Sequence, residues 1–232
     1  MGAWLLYASA ILLTRLCYLP NDRRLPIWLG LGQWAAQLLL VLLLFKLNLP
    51  VFGLLVYLTL VAVLIHLLET PSRILSGFRL LTLAAQLLLP LVLLWALNPA
   101  IEIRAGFAFS EQMLLTAFIL LLLINEANYL IRLLFNWCNV IPKTAGMNGE
   151  SKVLDEDEYK AGRVIGMLER TLILLLIYFT EDFSAVGFIV AAKGLIRLRQ
   201  LKDRQFSEYI LIGTLASVMC ALVGALLLLN FD

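Results

Sequence analysis

Residues 162–179 read GRVIGMLERTLILLLIYF, a stretch of membrane-spanning length that nevertheless carries an acid and a base side by side, Glu169 and Arg170. A charged side chain at the centre of a membrane helix costs about 2.5–3.5 kcal/mol on insertion scales, so it needs a partner inside the protein. Glu169 and Arg170 are therefore expected to contact polar groups on neighbouring helices. The stretch predicts a bundle of membrane helices held together partly by buried charges.

The composition of the whole chain also indicates an integral membrane protein. Of its 232 residues, 62% are hydrophobic and 15% are charged, whereas soluble domains average about 45–50% and about 25%. The formal net charge of +2 is too small to indicate nucleic acid as a partner. With one histidine and no CxxC spacing, the sequence predicts no metal site and no cofactor. It also lacks the motifs of hydrolases and nucleotide-binding folds, which argues against an enzyme.

Eight apolar segments follow one another along the sequence and predict an all-α, polytopic bundle. They span residues 2–19, 27–47, 51–68, 80–97, 112–136, 161–180, 183–198 and 209–229. Basic residues concentrate after segments one, three, five and seven, and such residues mark the cytoplasmic side of a membrane. Eight crossings would therefore leave both termini outside the cytoplasm. The seventh segment is short, and the alternative that it re-enters or tilts without a full crossing stays open. The basic residues counted are Arg23, Arg24, Arg73, Arg79, Lys143, Lys152, Lys160, Arg197, Arg199, Lys202 and Arg204.

The N-terminal half contains a possible internal repeat. Residues 35–40 read AAQLLL, residues 84–89 repeat this hexapeptide, and each copy continues through leucines to Asn and Pro. The spacing is that of one helical hairpin, so residues 1–111 are interpreted as two parallel repeats of Leu-rich hairpins, an arrangement that transporters also use. Gln37 and Gln86 would then be equivalent polar contacts between helices. The alternative is a chance identity between Leu-rich helices.

The C-terminal half, residues 112–232, has a different pattern, in which small residues recur four apart. This spacing lets helix backbones approach closely in a membrane. Segments six to eight are therefore predicted to form a tight core. The small residues expected to pack are Gly162, Gly166, Gly187, Ala191, Gly213 and Ser217.

A polar connection, residues 137–160, is predicted on the cytoplasmic side of this core. Residues 141–154 have no periodicity and read as a mobile loop. The acidic run at residues 155–158 suits the first turn of a helix, where carboxylates favour the helix dipole. The functional alternative is a docking patch for a basic cytosolic partner.

The spacing around the turn near Glu181 predicts a partner for Glu169. Glu169 lies twelve residues before this turn and Lys193 lies twelve residues after it. In an antiparallel helical hairpin the two side chains come to the same depth. We therefore predict an ion pair between Glu169 and Lys193.

Arg170 needs a different acceptor, and segment five offers polar residues at a similar depth. We predict that Arg170 or Arg163 contacts Glu126, with Glu208 as the competing partner. The complete predicted network comprises Asn125, Glu126, Asn128, Arg163, Glu169, Arg170, Lys193 and Glu208.

The C-terminal sequence also carries an ordered set of short motifs. GRxIGxLER spans residues 162–170, AAK spans residues 191–193 and EYxLIGTL spans residues 208–215. Together, within residues 161–227, they resemble a bacterial family of multi-pass membrane proteins of unknown function. The resemblance implies a location in the bacterial inner membrane, and it implies that Glu169, Arg170, Lys193 and Glu208 belong to one network.

Two functions fit these features. A structural or interaction subunit would use the charges to hold helices together, and it would assemble with itself or with a cytosolic protein. A transporter or channel subunit would use the same charges as an ion or proton pathway, since intramembrane ionisable residues often mark such pathways. The first is preferred, because a charge-balanced set is more often structural. The lipid bilayer is the one partner that composition alone implies.

Overall fold

The computed structural model of the chain describes residues 2–19, 25–68, 75–97, 102–104, 109–140, 143–145, 151–153, 156–197 and 204–231. These residues form nine α-helices and one short β-hairpin. A 3-10 turn, Leu16–Tyr18, extends the first helix, and a π-helical segment, Leu122–Glu126, joins the fifth helix to the sixth. The helices are α1 Gly2–Arg15, α2 Ile27–Leu44, α3 Leu49–Leu68, α4 Leu75–Leu97, α5 Glu111–Leu121, α6 Ala127–Trp137, α7 Glu156–Thr180, α8 Ser184–Arg197 and α9 Arg204–Leu229.

Each of the eight apolar segments overlaps a helix, and five helical stretches among the described residues are long and apolar enough to cross a membrane. The five are Ile27–Leu44, Leu49–Leu68, Leu75–Val92, Glu111–Trp137 and Ser207–Leu229. This count is consistent with a multi-pass membrane protein. It falls short of eight partly because the apolar stretches Gly2–Tyr18 and Val186–Leu195 are shorter than the roughly 20 residues that a hydrocarbon core of about 30 Å requires. The remaining helix, α7, carries Arg163, Glu169 and Arg170 in its apolar part.

The chain divides into two compact units, Met1–Asn125 and Glu126–Asp232, here called the N-terminal and C-terminal units. The boundary lies at the last residue of the π-helical segment. The sequence interpretation places the division earlier, between residues 111 and 112.

In the N-terminal unit, α1 is the central helix and packs against α2, α4 and α5. Its residues Leu5, Ala8 and Ile11 are at most 1% exposed. The ring of Trp4 lies 5.5 Å from that of Phe118 on α5. A short apolar helix that is buried on several faces is a core element, which explains how 14 residues are held in place.

In the C-terminal unit, α7 and α9 pack along each other more extensively than any other pair, while α6 packs on α9 and α8 packs on α7. Ile173, Leu174 and Ile177 of α7 are at most 1% exposed, and Ala221 and Ala225 of α9 are fully buried. The small side chains on α9 leave room for the larger ones on α7, which gives close packing without strain.

Local signals explain where several helices begin and end. The side chain of Ser110 accepts a hydrogen bond from the backbone N–H of Met113 at 3.2 Å and caps α5, and Asn48 does the same for Val51 in the first turn of α3. After α7, Glu181 takes a left-handed conformation with φ 53°, which stops the helix.

The structure corrects two interpretations of the connections. Arg79 was counted as a loop residue, but α4 begins at Leu75, so Arg79 lies within the helix and is 1% exposed. The segment at residues 141–154 was interpreted as a mobile loop. It contains an antiparallel hairpin in which β1, Lys143–Ala145, pairs with β2, Ser151–Val153.

Candidate functional site

The Arg170 side chain lies at the centre of the polar contacts of the C-terminal unit. It belongs to α7 and is 1% exposed. Its Nη2 donates a hydrogen bond of 2.7 Å to Oδ1 of Asn128 on α6, and its Nη1 donates one of 3.2 Å to Oγ of Ser217 on α9. The planar guanidinium presents its donors in a fork, so one side chain bridges two helices.

The neighbouring residue, Glu169, connects α7 to α8. Its Oε2 lies 2.5 Å from Nζ of Lys193, and the two side chains are 19% and 20% exposed. The predicted ion pair is therefore present. Two consecutive residues of α7 thus contact three other helices, α6, α8 and α9. We call Glu169, Arg170, Lys193, Asn128 and Ser217 the α7 clamp.

The glycines around the clamp have different roles from one another. A Cβ added at Gly166 would lie 3.4 Å from Nη1 of Arg170, so this glycine borders the guanidinium. At Gly213, an added Cβ would lie 3.0 Å from Cζ of Phe135 on α6, which shows a close approach of α9 to that ring. No described atom lies within 4 Å of the equivalent position at Gly162 or Gly187. The close approach expected of small residues is therefore found at Gly213, while Gly187 and Ala191 are exposed.

A cavity of about 120 Å³ lies beside the clamp, wholly within the C-terminal unit. Arg163, Arg170 and Lys193 line it together with Asn128 and Ser217. Most of its lining area is apolar, and the charged and amide side chains supply the polar part. Arginine and lysine offer only donors, so the cavity is suited to hold acceptor groups, whether water or an anion.

The other acidic and amide residues of the predicted network are Asn125, Glu126 and Glu208. Asn125 is 2% exposed and belongs to the N-terminal unit, where its Nδ2 donates a 3.2 Å hydrogen bond to the backbone oxygen of Arg15. Glu126 is 3% exposed. Glu208 is exposed near the start of α9. The contact of Glu126 or Glu208 with Arg163 or Arg170 stays a prediction.

A second buried arginine, which the sequence interpretation missed, occupies the N-terminal unit. Arg15 of α1 is fully buried and donates three hydrogen bonds to α4: to the backbone oxygen of Arg79 at 2.8 Å, to Oε1 of Gln86 at 3.2 Å and to Oγ1 of Thr82 at 3.4 Å. The signal was present, because Arg15 interrupts an apolar segment just as Arg170 does.

The ring of Tyr18 lies close to two cations, Arg15 and Arg79. The guanidinium carbons of Arg15 and Arg79 lie 5.1 and 4.6 Å from the centre of its ring. An aromatic face attracts cations, so the ring partly compensates for the approach of two like charges. Arg79 belongs to α4, and the sequence interpretation missed this site because it placed that residue in a loop.

Gln37 and Gln86, the glutamines of the repeated hexapeptide, both contact α1. Gln37 of α2 donates a 3.2 Å hydrogen bond to Oγ1 of Thr14, while Gln86 of α4 accepts one from Arg15. Both partners lie on α1. The polar part of the repeat therefore converges on the central helix of the unit.

Within the described part of the chain, no three His, Cys, Asp or Glu side chains come together as a metal site. No known protein family, curated protein or solved structure matches the chain. Membership of the bacterial family suggested by residues 161–227 stays a prediction.

Proposed function

We propose that the protein is a structural or interaction subunit of the membrane, in which the α7 clamp fixes the C-terminal helices for assembly with a second copy of the chain or with a cytosolic protein. One observation supports the proposal above the others. Glu169 and Arg170, adjacent in sequence, contact three different helices, and each contact goes to a polar group of this chain. Such an arrangement stabilises packing where lipid supplies no hydrophobic drive between helices.

A double-mutant cycle on the ion pair tests the proposal. The variants are Glu169→Gln, Lys193→Met and the two combined. We expect each single change to lower the melting temperature in detergent and the amount of protein in the membrane, because it leaves a partly buried charge without its partner. The coupling between the two changes should be about 1.5–3 kcal/mol, the range of hydrogen bonds to charged groups.

The exposed pair between Lys46 and Glu102 provides the control. Its atoms lie 2.6 Å apart, but its side chains are 56% and 60% exposed, so it should contribute little to stability. The same cycle with Glu102→Gln and Lys46→Met should show almost no coupling. If all three clamp variants melt and accumulate like the wild type, the structural proposal is wrong.

A transporter or channel subunit is the second candidate, and the cavity beside the clamp favours it. A cavity lined by Arg163, Arg170 and Lys193 could form part of an ion or proton pathway. In this case the variants of the cycle would fold normally and the ion permeability of reconstituted vesicles would fall. Measuring stability and permeability on the same preparations separates the two functions.

Assembly with a second copy is tested separately. Native mass spectrometry of the protein released from lipid nanodiscs should show a homo-oligomer under the self-assembly form of the proposal. A strictly monomeric protein would exclude that form and leave the cytosolic partner, which co-purification from native membranes would test.

The proposed location is the bacterial inner membrane, with eight segments and both termini outside the cytoplasm. The resemblance of the C-terminal motifs suggests the compartment, and the basic residues in alternate connections suggest the orientation. Two helices of 14 residues, α1 and α8, would then reach across the core only with their flanking residues or by local thinning of the bilayer.

A further inference from the structure

The N-terminal unit contains a larger cavity that the clamp does not involve. It lies between α2 and α3, reaches Gln86 of α4, and has a volume of about 310 Å³. Most of its lining area is apolar, and the polar groups come from seven side chains: Tyr18, Gln33, Trp34, Gln37, Thr59, His66 and Gln86. A mostly apolar cavity with a few convergent polar groups is the usual form of a small-molecule site, and this volume is at the lower end of the usual range of about 300–1,000 Å³.

The cavity lies along the most exposed membrane helices of the unit. Only 17% of α2 and 22% of α3 is buried. Four lining residues, Ile27, Leu31, Val63 and Leu67, are 62%, 57%, 52% and 70% exposed. Apolar side chains exposed on membrane helices face lipid, so a ligand would enter the cavity from the bilayer and would itself be largely apolar.

Two buried amides supply complementary hydrogen-bonding groups in the cavity. Gln37 and Gln86 are 2% and 1% exposed. Gln37 uses its Nε2 to bind Thr14, which leaves its carbonyl oxygen as an acceptor. Gln86 uses its Oε1 to bind Arg15, which leaves its amide N–H groups as donors. Within the described residues these amide groups have no other protein partner, and buried polar groups are costly to leave unsatisfied.

We propose that this cavity binds a single-chain lipid amphiphile whose head group both accepts and donates a hydrogen bond, such as a long-chain alcohol or a protonated fatty acid. The head accepts from Gln86 and donates to Gln37, and the chain extends past α2 and α3 towards the bilayer. This site is independent of the proposed function of the C-terminal unit.

Photolabelling with a diazirine analogue of dodecanol, on the full-length protein in nanodiscs, tests the proposal. We expect the label on peptides of α2 and α3. Unlabelled dodecanol should compete best. Dodecyl methyl ether, which cannot donate, should compete about tenfold less well, because it leaves the Gln37 oxygen unsatisfied. Dodecane should compete least. Equal competition by all three would overturn the assignment of the polar groups.

Two glycines of α2 provide a matched pair of variants. Neither Gly30 nor Gly32 has a described atom within 4 Å of an added Cβ, but only Gly30 lines the cavity. Gly30→Leu should reduce competable labelling about tenfold by filling the cavity, and Gly32→Leu should leave it unchanged. Ala62→Leu fills the same cavity from α3 and serves if Gly30→Leu does not fold. Labelling that is equal in both leucine variants of α2, or unchanged when the cavity is filled, would refute the site.

Discussion

At the scale of single residues, two of the buried arginines, Arg15 and Arg170, bind neighbouring helices in the same way. Arg15 and Arg170 are each at most 1% exposed, and each donates to neutral acceptors on neighbouring helices. A guanidinium keeps its charge in nearly any environment, and its fork spreads that charge over several hydrogen bonds. Lysine has a single rotatable ammonium and could not reproduce this geometry. In each unit, therefore, an arginine ties one central helix to its neighbours.

The close contact between Gly213 and Phe135 leads to a prediction about stability. Gly213→Ala places a methyl group 3.0 Å from Cζ of the buried Phe135 ring, so the ring or α9 must move. We expect a loss of about 1–3 kcal/mol, the usual cost of overpacking a core. Thermal melts in detergent or urea titrations monitored by circular dichroism would measure it.

Gly162→Ala is the control for this change. The same substitution in α7 meets no described atom within 4 Å, so only the gain in helix propensity remains, about 0.5–1 kcal/mol in favour of alanine. Adding Phe135→Leu to Gly213→Ala should recover part of the lost stability. If Gly213→Ala is as stable as Gly162→Ala, α9 does not approach α6 as closely as the distance implies.

The residues also show how far sequence reasoning reaches. The Glu169–Lys193 pair was predictable because one turn relates two helices of known rise, and charge in an apolar segment demands a partner. The sequence predicts an acceptor for Arg170 on segment five, which contains Asn128. Ser217, the other acceptor, is predicted only as a packing residue. Arg15 also interrupts an apolar segment and therefore also needs a partner, but the sequence interpretation missed it. Its acceptors on α4 lie more than sixty residues away, and no local pattern encodes that distance.

At the scale of elements, the turn between α7 and α8 sets the register of the clamp. Glu181 has φ 53°, and the Asp182 carboxylate accepts hydrogen bonds of 2.8 Å from both the backbone N–H and the hydroxyl of Ser184. These bonds satisfy donors at the start of α8. They also hold the pKa of Asp182 below its usual value, with the Ser184 hydroxyl as the largest cause.

This lowered pKa predicts a dependence of stability on pH. A carboxyl group whose pKa is lower in the folded state stabilises the fold fully above its unfolded pKa, about 3.9, and loses this contribution as the pH falls through its folded value. The melting temperature of the wild type should therefore fall on acidification below about pH 4 by more than that of Asp182→Ala. Ser184→Ala should also reduce this fall in melting temperature, because it removes the hydroxyl that lowers the pKa of Asp182 most. Identical pH profiles for Asp182→Ala and the wild type would show that the turn contributes nothing through this carboxylate.

Helix locations followed from the sequence more readily than helix ends and connections. Apolar length predicted a helix at each of the eight segments. However, α4 starts at Leu75 instead of residue 80 and includes Ser76 and Arg79, two polar residues that are buried in the fold. The hairpin β1–β2 has three residues in each strand, too few for a period-two pattern to be recognised. The π-helical segment was equally invisible, since one extra residue in a turn leaves no compositional trace.

At the scale of the whole molecule, the question that remains is whether α8 crosses the membrane. Its 14 residues are short for a full crossing, yet its pairing with α7 through Glu169 and Lys193 runs antiparallel across the turn at Asp182. If α8 crosses, its two ends face opposite compartments and the basic residues from Arg197 onwards lie in the cytoplasm. If it re-enters, both ends face the same side and the C-terminus changes compartment.

Cysteine labelling at the two ends of α8 distinguishes these topologies. In a background with the three native cysteines replaced by alanine, Asp182→Cys and Asp203→Cys each provide one thiol for a membrane-impermeant maleimide. We expect labelling of Asp182→Cys in intact spheroplasts, and labelling of Asp203→Cys only after the membrane is permeabilised, because basic flanks are retained in the cytoplasm. Equal labelling of both positions in intact spheroplasts would show that α8 re-enters. The C-terminus would then lie in the cytoplasm, and the eight-segment topology would have to be abandoned.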